Sequence, residues 1–200
     1  VQVDAQNLGT MYVGFGSGGL WKTTNNGITW KSIFEEQSSI GIGDVELAPS
    51  NPNIIYLGTA SGGVWKTENG GASWESIFDD QPILNIGAVA ITQSNPSVVW
   101  AGTGEGNPRN SISLGGGIYK SIDGGKTWKR TLFVNNQTGA SDLVMDPGNP
   151  SVFYAGTWRV IRTPYSLESG GEGSGLWKSI NGGETWTSLT SKKGMPKGVW

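Results

Sequence analysis

The sequence predicts an all-β fold: a β-propeller segment of four four-stranded antiparallel blades. Three observations predict it: a short pattern repeated four times, a fixed spacing inside the repeat, and no sustained helical period along 200 residues. The pattern reads LWKTTNNGITW ending at Trp30, VWKTENGGASW at Trp74, IYKSIDGGKTW at Trp128 and LWKSINGGETW at Trp186. An aromatic-x-Gly step precedes each copy, at Tyr12 to Gly14, Tyr56 to Gly58, Trp100 to Gly102 and Tyr154 to Gly156. From each Trp to the next such Gly the step is 28 residues every time, whereas from Gly to Trp it is 16, 16, 26 and 30. All variation in length therefore falls in one connection per repeat.

Each repeat reads as strands A to D. Strand A alternates, as in Val45-Glu46-Leu47 and Val89-Ala90-Ile91, and ends at an Asn-Pro turn: Asn51-Pro52, Asn95-Pro96 and Asn149-Pro150. Asn7-Leu8-Gly9 holds that offset in the first repeat. Strand B is β-branched and aromatic, as in residues 54–57 and 98–101, and strand C is Gly-Val-Trp-Lys-Thr at 63–67. Asn-Gly or Asp-Gly punctuation follows, because these residues tolerate positive φ. An amphipathic strand D then runs from Ser73 to Phe78. The blades are expected over 1–36, 37–80, 81–136 and 137–192, with 193–200 leading to a next blade. Four-stranded units at this period are the sequence form of propeller blades.

Composition narrows the function. Lys plus Arg number 14 against 16 Asp plus Glu, so the surplus of positive charge that nucleic acid requires is missing. No apolar stretch reaches the ~18 residues of a membrane span. The chain has no His and no Cys, which excludes a His-dependent triad, a Cys nucleophile, a zinc site of the usual ligands and disulfides. No cofactor and no metal are expected. Ten Trp among 33 Gly indicate a packed core between many tight turns rather than a flexible linker.

The aligned positions are Ser/Thr-x-Asp/Asn-x-Gly-x-Ser/Thr-Trp, met in all four copies: Thr23, Asn25, Gly27, Thr29, Trp30; Thr67, Asn69, Gly71, Ser73, Trp74; Ser121, Asp123, Gly125, Thr127, Trp128; Ser179, Asn181, Gly183, Thr185, Trp186. This pattern resembles the Asp-box family, also called bacterial neuraminidase repeats. The flanking sequence looks most like large secreted bacterial proteins related to sortilin ectodomains and glycosyl-hydrolase-like repeat proteins. The resemblance implies a propeller larger than four blades and an extracellular, cell-surface or periplasmic location. The boxes themselves read as scaffold. A short Asp or Asn caps its own turn, Gly supplies the left-handed residue and Trp covers the turn. Three boxes carry Asn where the third has Asp123, an exchange that a catalytic or calcium carboxylate would not survive.

Function is expected on the face that carries the variable B–C connections, which it shares with the D–A links; A–B and C–D turns share the other. Blade 3 inserts residues around Glu105, Asn107, Arg109 and Asn110; blade 4 inserts Trp158, Arg159, Arg162 and Tyr165, then a Gly/Ser/Glu-rich loop. Three of the four Arg lie in these two inserts, and Arg and aromatics suit binding surfaces. The competing reading makes them loop-internal ties. Asp44 and Asp142 head strands A near the channel mouth, most simply as solvated charge. The expected role is a non-catalytic scaffold for a peptide, protein or carbohydrate ligand. A glycoside hydrolase and a passive part of a surface assembly are the alternatives. For a sialidase, Arg162-Thr163-Pro164 falls after the third box rather than before the first, and no Tyr-Glu pair stands out. Adding the constant step of 28 to Trp186 puts the next aromatic-x-Gly glycine at 214 and, fourteen residues before it, the next strand A at 200, so further blades or a second copy are expected to complete the ring.

Overall fold

The computed structural model describes residues 1–106 and 111–190, and it is all-β. Blade 1 consists of β1 (Gln2–Val3), β2 (Met11–Phe15), β3 (Gly19–Thr23) and β4 (Lys31–Ser32). Blade 2 is β5 (Ile42–Leu47), β6 (Ile55–Thr59), β7 (Val64–Thr67) and β8 (Glu75–Ser76). Blade 3 is β9 (Ile86–Ile91), β10 (Val99–Thr103), β11 (Gly117–Ser121) and β12 (Lys129–Leu132). Blade 4 has β13 (Thr138–Asp146), β14 (Asn149–Thr163), β15 (Ser166–Ser169), β16 (Gly175–Ser179) and β17 (Thr187–Ser188). Each sheet is an antiparallel meander in sequence order, A to D, with β15 added beside β14 in the fourth. The A strands pack side by side at the centre, β5 on β9 and β9 on β13.

The core lies between blades rather than within them. A thin four-stranded sheet cannot bury its own two faces, so each face is buried on a neighbour. Tyr12, Leu20 and Phe34 of blade 1 join Val45, Leu57 and Trp65 of blade 2 in one cluster. Tyr56, Val64 and Phe78 join Val89, Ala101 and Tyr119 in the next, and Trp100, Ile118 and Leu132 join Leu143, Phe153 and Ala155 in the third. Among the described residues no extensive strand contact joins blade 1 to blade 4.

Three expectations are corrected here. Strand D is shorter than Ser73–Phe78, ending at Ser76. The Ile77 N–H still bonds Val64 O at 2.9 Å, after which the chain turns at Phe78, whose carbonyl accepts from Gln81 N at 3.1 Å. That turn drives the ring into the junction instead of along the sheet. The fourth A–B turn sits at Pro147-Gly148, not Asn149-Pro150. Asp146 Oδ1 accepts the Gly148 N–H at 2.8 Å and closes a tight hairpin, pairing Asp146 with Asn149. The blade 4 insert is not a loop. It is a hairpin in which β14 runs on past the sheet to pair residues 160–163 with β15.

Candidate functional site

The turns fall into two sets, one on each face. On one face, the Asp boxes of blades 1 to 3 are tied to the A–B turns of their own blades, Asn26 N to Gly9 O, Gly70 N to Asn53 O and Gly124 N to Ser97 O, and that of blade 4 to the start of β14, Gly182 N to Ser151 O, at 2.8 to 3.0 Å. On the other, B–C turns meet the D–A links, as in Gly19 N to Ile40 O and Gly63 N to Leu84 O at 2.9 and 2.7 Å.

Within the boxes the geometry is the same four times. The Thr23 hydroxyl donates to Asn25 Oδ1 at 2.9 Å and accepts from Gly27 N at 3.0 Å. Asn25 Oδ1 also accepts Thr29 N at 2.9 Å, and its Nδ2 donates to Thr29 Oγ1 at 2.9 Å. In the third box Asp123 Oδ2 instead accepts the Thr127 hydroxyl at 2.6 Å. A hydroxyl serves as donor or acceptor, so Asp and Asn fit the same turn with that one bond reversed. Bonds from Thr127 and Ser121 hold the exposed Asp123 carboxyl down at about 2.

The box Trp does more than cover its turn. Trp74 Nε1 donates to Ile33 O of the preceding blade at 2.8 Å, and Trp128 Nε1 to Ile77 O at 2.7 Å. Trp186 Nε1 reaches Thr131 Oγ1 of blade 3 at 3.3 Å. The box Gly is placed for the same contact, since a Cβ on Gly71 would stand 2.6 Å from Ile33 Cδ1. These residues stitch one blade to the next.

On the B–C face, the structure brings Glu105 and the blade 4 hairpin together. Glu105 is 8% exposed and lines a narrow cleft with Gly104, Leu114, Gln137, Trp158 and Val160. Asn107, Arg109 and Asn110 lie outside the described residues. Along the hairpin, Val160, Arg162, Leu167 and Ser169 share one side by register, which is the side that leans over the blade 3 connection. Trp158 Nε1 donates to Ser169 Oγ at 3.1 Å. Arg159 is committed internally: Nε to Gln137 Oε1 at 3.0 Å, Nη1 to Gly170 O at 3.4 Å and Nη2 to Glu168 Oε2 at 3.1 Å. It stiffens the hairpin as a tie, the alternative already visible in the sequence. Arg162 Nη1 donates to Ser166 O at 3.2 Å across the hairpin turn. Tyr165 stands at the tip, 90% exposed, and Leu167 beside it is 52% exposed. Leu167 is the residue that sequence reasoning missed. The alternation Ser-Leu-Glu-Ser after Pro164-Tyr165 was the available signal for a returning strand.

Nearer the centre, Asp44 Oδ1 accepts Val45 N and Oδ2 accepts Val89 N of the next blade, each at 2.8 Å. Burial raises its carboxyl above the usual range, the two N–H bonds oppose this, and Asp142 adds to it. Glu46, accepting from Gln2 Nε2 at 3.3 Å, is pushed up to about 7 by burial and by the Asp44 charge. Asp142 Oδ1 accepts Leu143 N at 2.8 Å. Contrary to expectation, Asp44 and Asp142 do not head strand A: each lies inside it just after a bulge in the pairing with strand B, where its carboxylate takes up backbone N–H groups. Among the described residues no group of three or more acidic side chains is placed to hold a metal ion, and no helix is long and apolar enough to cross a membrane.

No family model and no curated protein sequence matches this chain. Solved structures do. An ancestral GH74 enzyme is similar over 92% of this chain and 23% of its own, with 22% identity and a TM-score of 0.72. The GH74 xyloglucanase from Xanthomonas campestris is similar over 94% and 29%, at 20% identity and TM-score 0.71. The GH74 enzyme of Niastella koreensis follows over 93% and 37%, at 18% identity and TM-score 0.60. This chain thus spans only 23 to 37% of the length of these three structures. Together with the four sheets, the likeness shows the fold: the chain is a segment of a β-propeller.

Proposed function

We propose that this segment belongs to an extracellular propeller that binds carbohydrate without cleaving it, with the blade 4 hairpin as one wall of the site. The observation that carries the reading is the tip of that hairpin. Tyr165 and Leu167 are exposed on a β-ribbon held stiff by Arg159, and an exposed ring on a rigid support is a stacking platform. Carbohydrate is favoured over peptide because the matched structures are glycoside hydrolases, one of them a xyloglucanase. Secretion and binding by this face accord with the repeat resemblance.

The test is a glycan array probed with the whole chain, alongside Tyr165→Ala. Retained melting temperature with at least about tenfold weaker glycan binding supports the site, a loss of ~1.4 kcal/mol. Equal binding by both proteins places the site elsewhere, and binding to a peptide library but not to glycans replaces the ligand class. Hydrolysis is a second reading, favoured by the burial of Glu105 in the B–C face. It needs a second carboxylate about 5–9.5 Å away. Asp44 and Asp142 are occupied with backbone N–H groups, which weighs against it. Bond cleavage on a bound glycan that Glu105→Gln abolishes would establish it.

A further inference from the structure

Where strand C of one blade meets the Asp box of the next, the three internal junctions place a Lys at the same spot. Lys22, Lys66 and Lys120 stand over the rings of Tyr12, Tyr56 and Trp100, with Nζ 5.2, 5.6 and 5.2 Å from the centroids. The residue after the box Trp is the cross-strand partner of each on strand D: Lys31 for Lys22, Glu75 for Lys66 and Lys129 for Lys120. In two of the junctions a carboxylate answers the charge. Glu184 of the blade 4 box reaches Lys120 Nζ at 2.7 Å and Lys129 Nζ at 3.1 Å, with one oxygen on each. Glu68, two residues after Lys66, reaches its Nζ at 2.6 Å. By the repeat, Ala72 stands in the place of Glu184 and Thr24 in the place of Glu68. The junction of blades 1 and 2 therefore has both lysines and neither acid. Among the described residues no acidic side chain pairs with Lys22 or Lys31. Like charges directly opposite each other on neighbouring strands repel, and these two line a groove of about 410 Å³ together with Thr24, Thr29, Trp30 and Ala72. Lys22 donates one proton to Gly70 O at 3.1 Å and keeps two for another acceptor, while Lys31 is exposed.

We propose that this groove binds an acidic saccharide, a uronate whose carboxylate lies between Lys22 and Lys31 as that of Glu184 lies between Lys120 and Lys129. The sister junction supplies the chemistry: a carboxylate with one oxygen on each ammonium, a charge-assisted pair of bonds. A saccharide is favoured over an acidic peptide because the rest of the lining suits sugar hydroxyls. Thr24 adds a hydroxyl, and Thr29 accepts from Asn25 Nδ2 at 2.9 Å while keeping its own proton to donate. Trp30 adds a ring on which a sugar can rest. The site is built wholly from blades 1 and 2 and shares no residue with the blade 4 hairpin. The corresponding groove between blades 2 and 3 likewise takes no residue from blade 1.

The experiment titrates trigalacturonate and neutral trigalactose into the whole chain at low salt, followed by calorimetry and by NMR of the lysine side chains. The acidic trisaccharide should shift the Lys22 and Lys31 signals and bind at least about tenfold more tightly than the neutral one. Salt at about 0.5 M should remove that advantage. Lys31→Gln should weaken binding at least about tenfold with the unfolding midpoint retained. Ala72→Glu installs the carboxylate of the sister junction, so it should abolish binding and raise the unfolding midpoint. Tyr165→Ala should leave this binding unchanged, which separates failure here from failure of the hairpin site. Absence of shifts at Lys22 and Lys31, equal binding of the two trisaccharides, or full binding by Ala72→Glu overturns the proposal. Hexaglutamate shifting the same signals where trigalacturonate does not assigns the groove to an acidic peptide and also overturns it.

Discussion

Trp128 and Trp30 occupy the same place in the same motif but differ in what stands beside them, so replacing each by Ala isolates the inter-blade contact. Full burial of a large aromatic removes roughly 150–250 Å² from water, which at ~25 cal/mol per Å² is about 4–6 kcal/mol. Trp128 is partly covered, packs edge-on against Phe78 at 4.9 Å and bonds Ile77 O. Its loss should therefore cost ~3–5 kcal/mol, in the usual range for such truncations. Trp30 bonds Gly27 O of its own turn at 3.1 Å and is 38% exposed, so its loss should cost about 1–2 kcal/mol. Urea unfolding followed by far-ultraviolet circular dichroism measures both, provided the slopes agree with that of the unsubstituted protein. Costs that match within about 0.5 kcal/mol would refute the stitching role, and with it the idea that blades owe their cohesion to the box Trp.

Other outcomes follow from the same geometry. Asp123→Asn should leave the thermal unfolding midpoint at neutral pH unchanged, because three sister boxes use Asn in the same bonds. Since the folded Asp123 carboxyl is held at about 2, its contribution is present above the usual carboxylate range near pH 4 and lost as pH falls toward 2. Acid titration of stability should accordingly show a limb that the Asn variant lacks. Glu46 has the opposite sign: with its carboxyl raised to about 7, its favourable contribution holds below about pH 4.5 and disappears as pH rises through 7. Glu46→Gln should therefore be more stable than the parent at pH 8, by about 1–3 kcal/mol in thermal unfolding, and nearly equal to it at pH 4. Gly71 has φ of +93° and faces Ile33, while Gly27 has φ of +81° and no atom nearer than 3.6 Å to an added Cβ. Gly71→Ala should cost about 2–5 kcal/mol, strain plus overpacking, and Gly27→Ala only the strain, about 1–2 kcal/mol, as read by denaturant midpoints.

What the sequence disclosed of this fold is what repeats. The box pattern, the Asn turn and the constant step of 28 each encode a local geometry, and four copies average out the accidents of any one. Asn7 shows the strength of this. Without a Pro beside it, Asn7 still caps its turn through Gly9 N at 3.2 Å, as Asn51 and Asn95 do for Asn53 and Ser97. The inserts occur once each and have no such support. Residues 158–169 carry Arg, Pro and Gly-flanked polar stretches that look like a binding loop, yet the alternation of Trp158, Val160 and Arg162 against Leu167 and Ser169 makes a ribbon.

The same limit applies to distant partners. A motif shows which residues share a turn, and Trp30 and Trp128 do bond their own turns through Gly27 O and Gly125 O. It does not show contacts between repeats, such as Trp186 with Thr131, 55 residues away, or the reach of Arg159 to Gln137, 22 residues away. In a chain whose core lies at the junctions, the decisive neighbour of each aromatic belongs to another repeat. The rings that receive Phe34 and Phe78 are not identical, Trp65 with Trp74 in blade 2 and Tyr119 with Trp128 in blade 3, yet both meet the incoming ring edge-on. Stability in such a scaffold accumulates by junction, not by blade, so the side chains at the junctions should cost most to truncate.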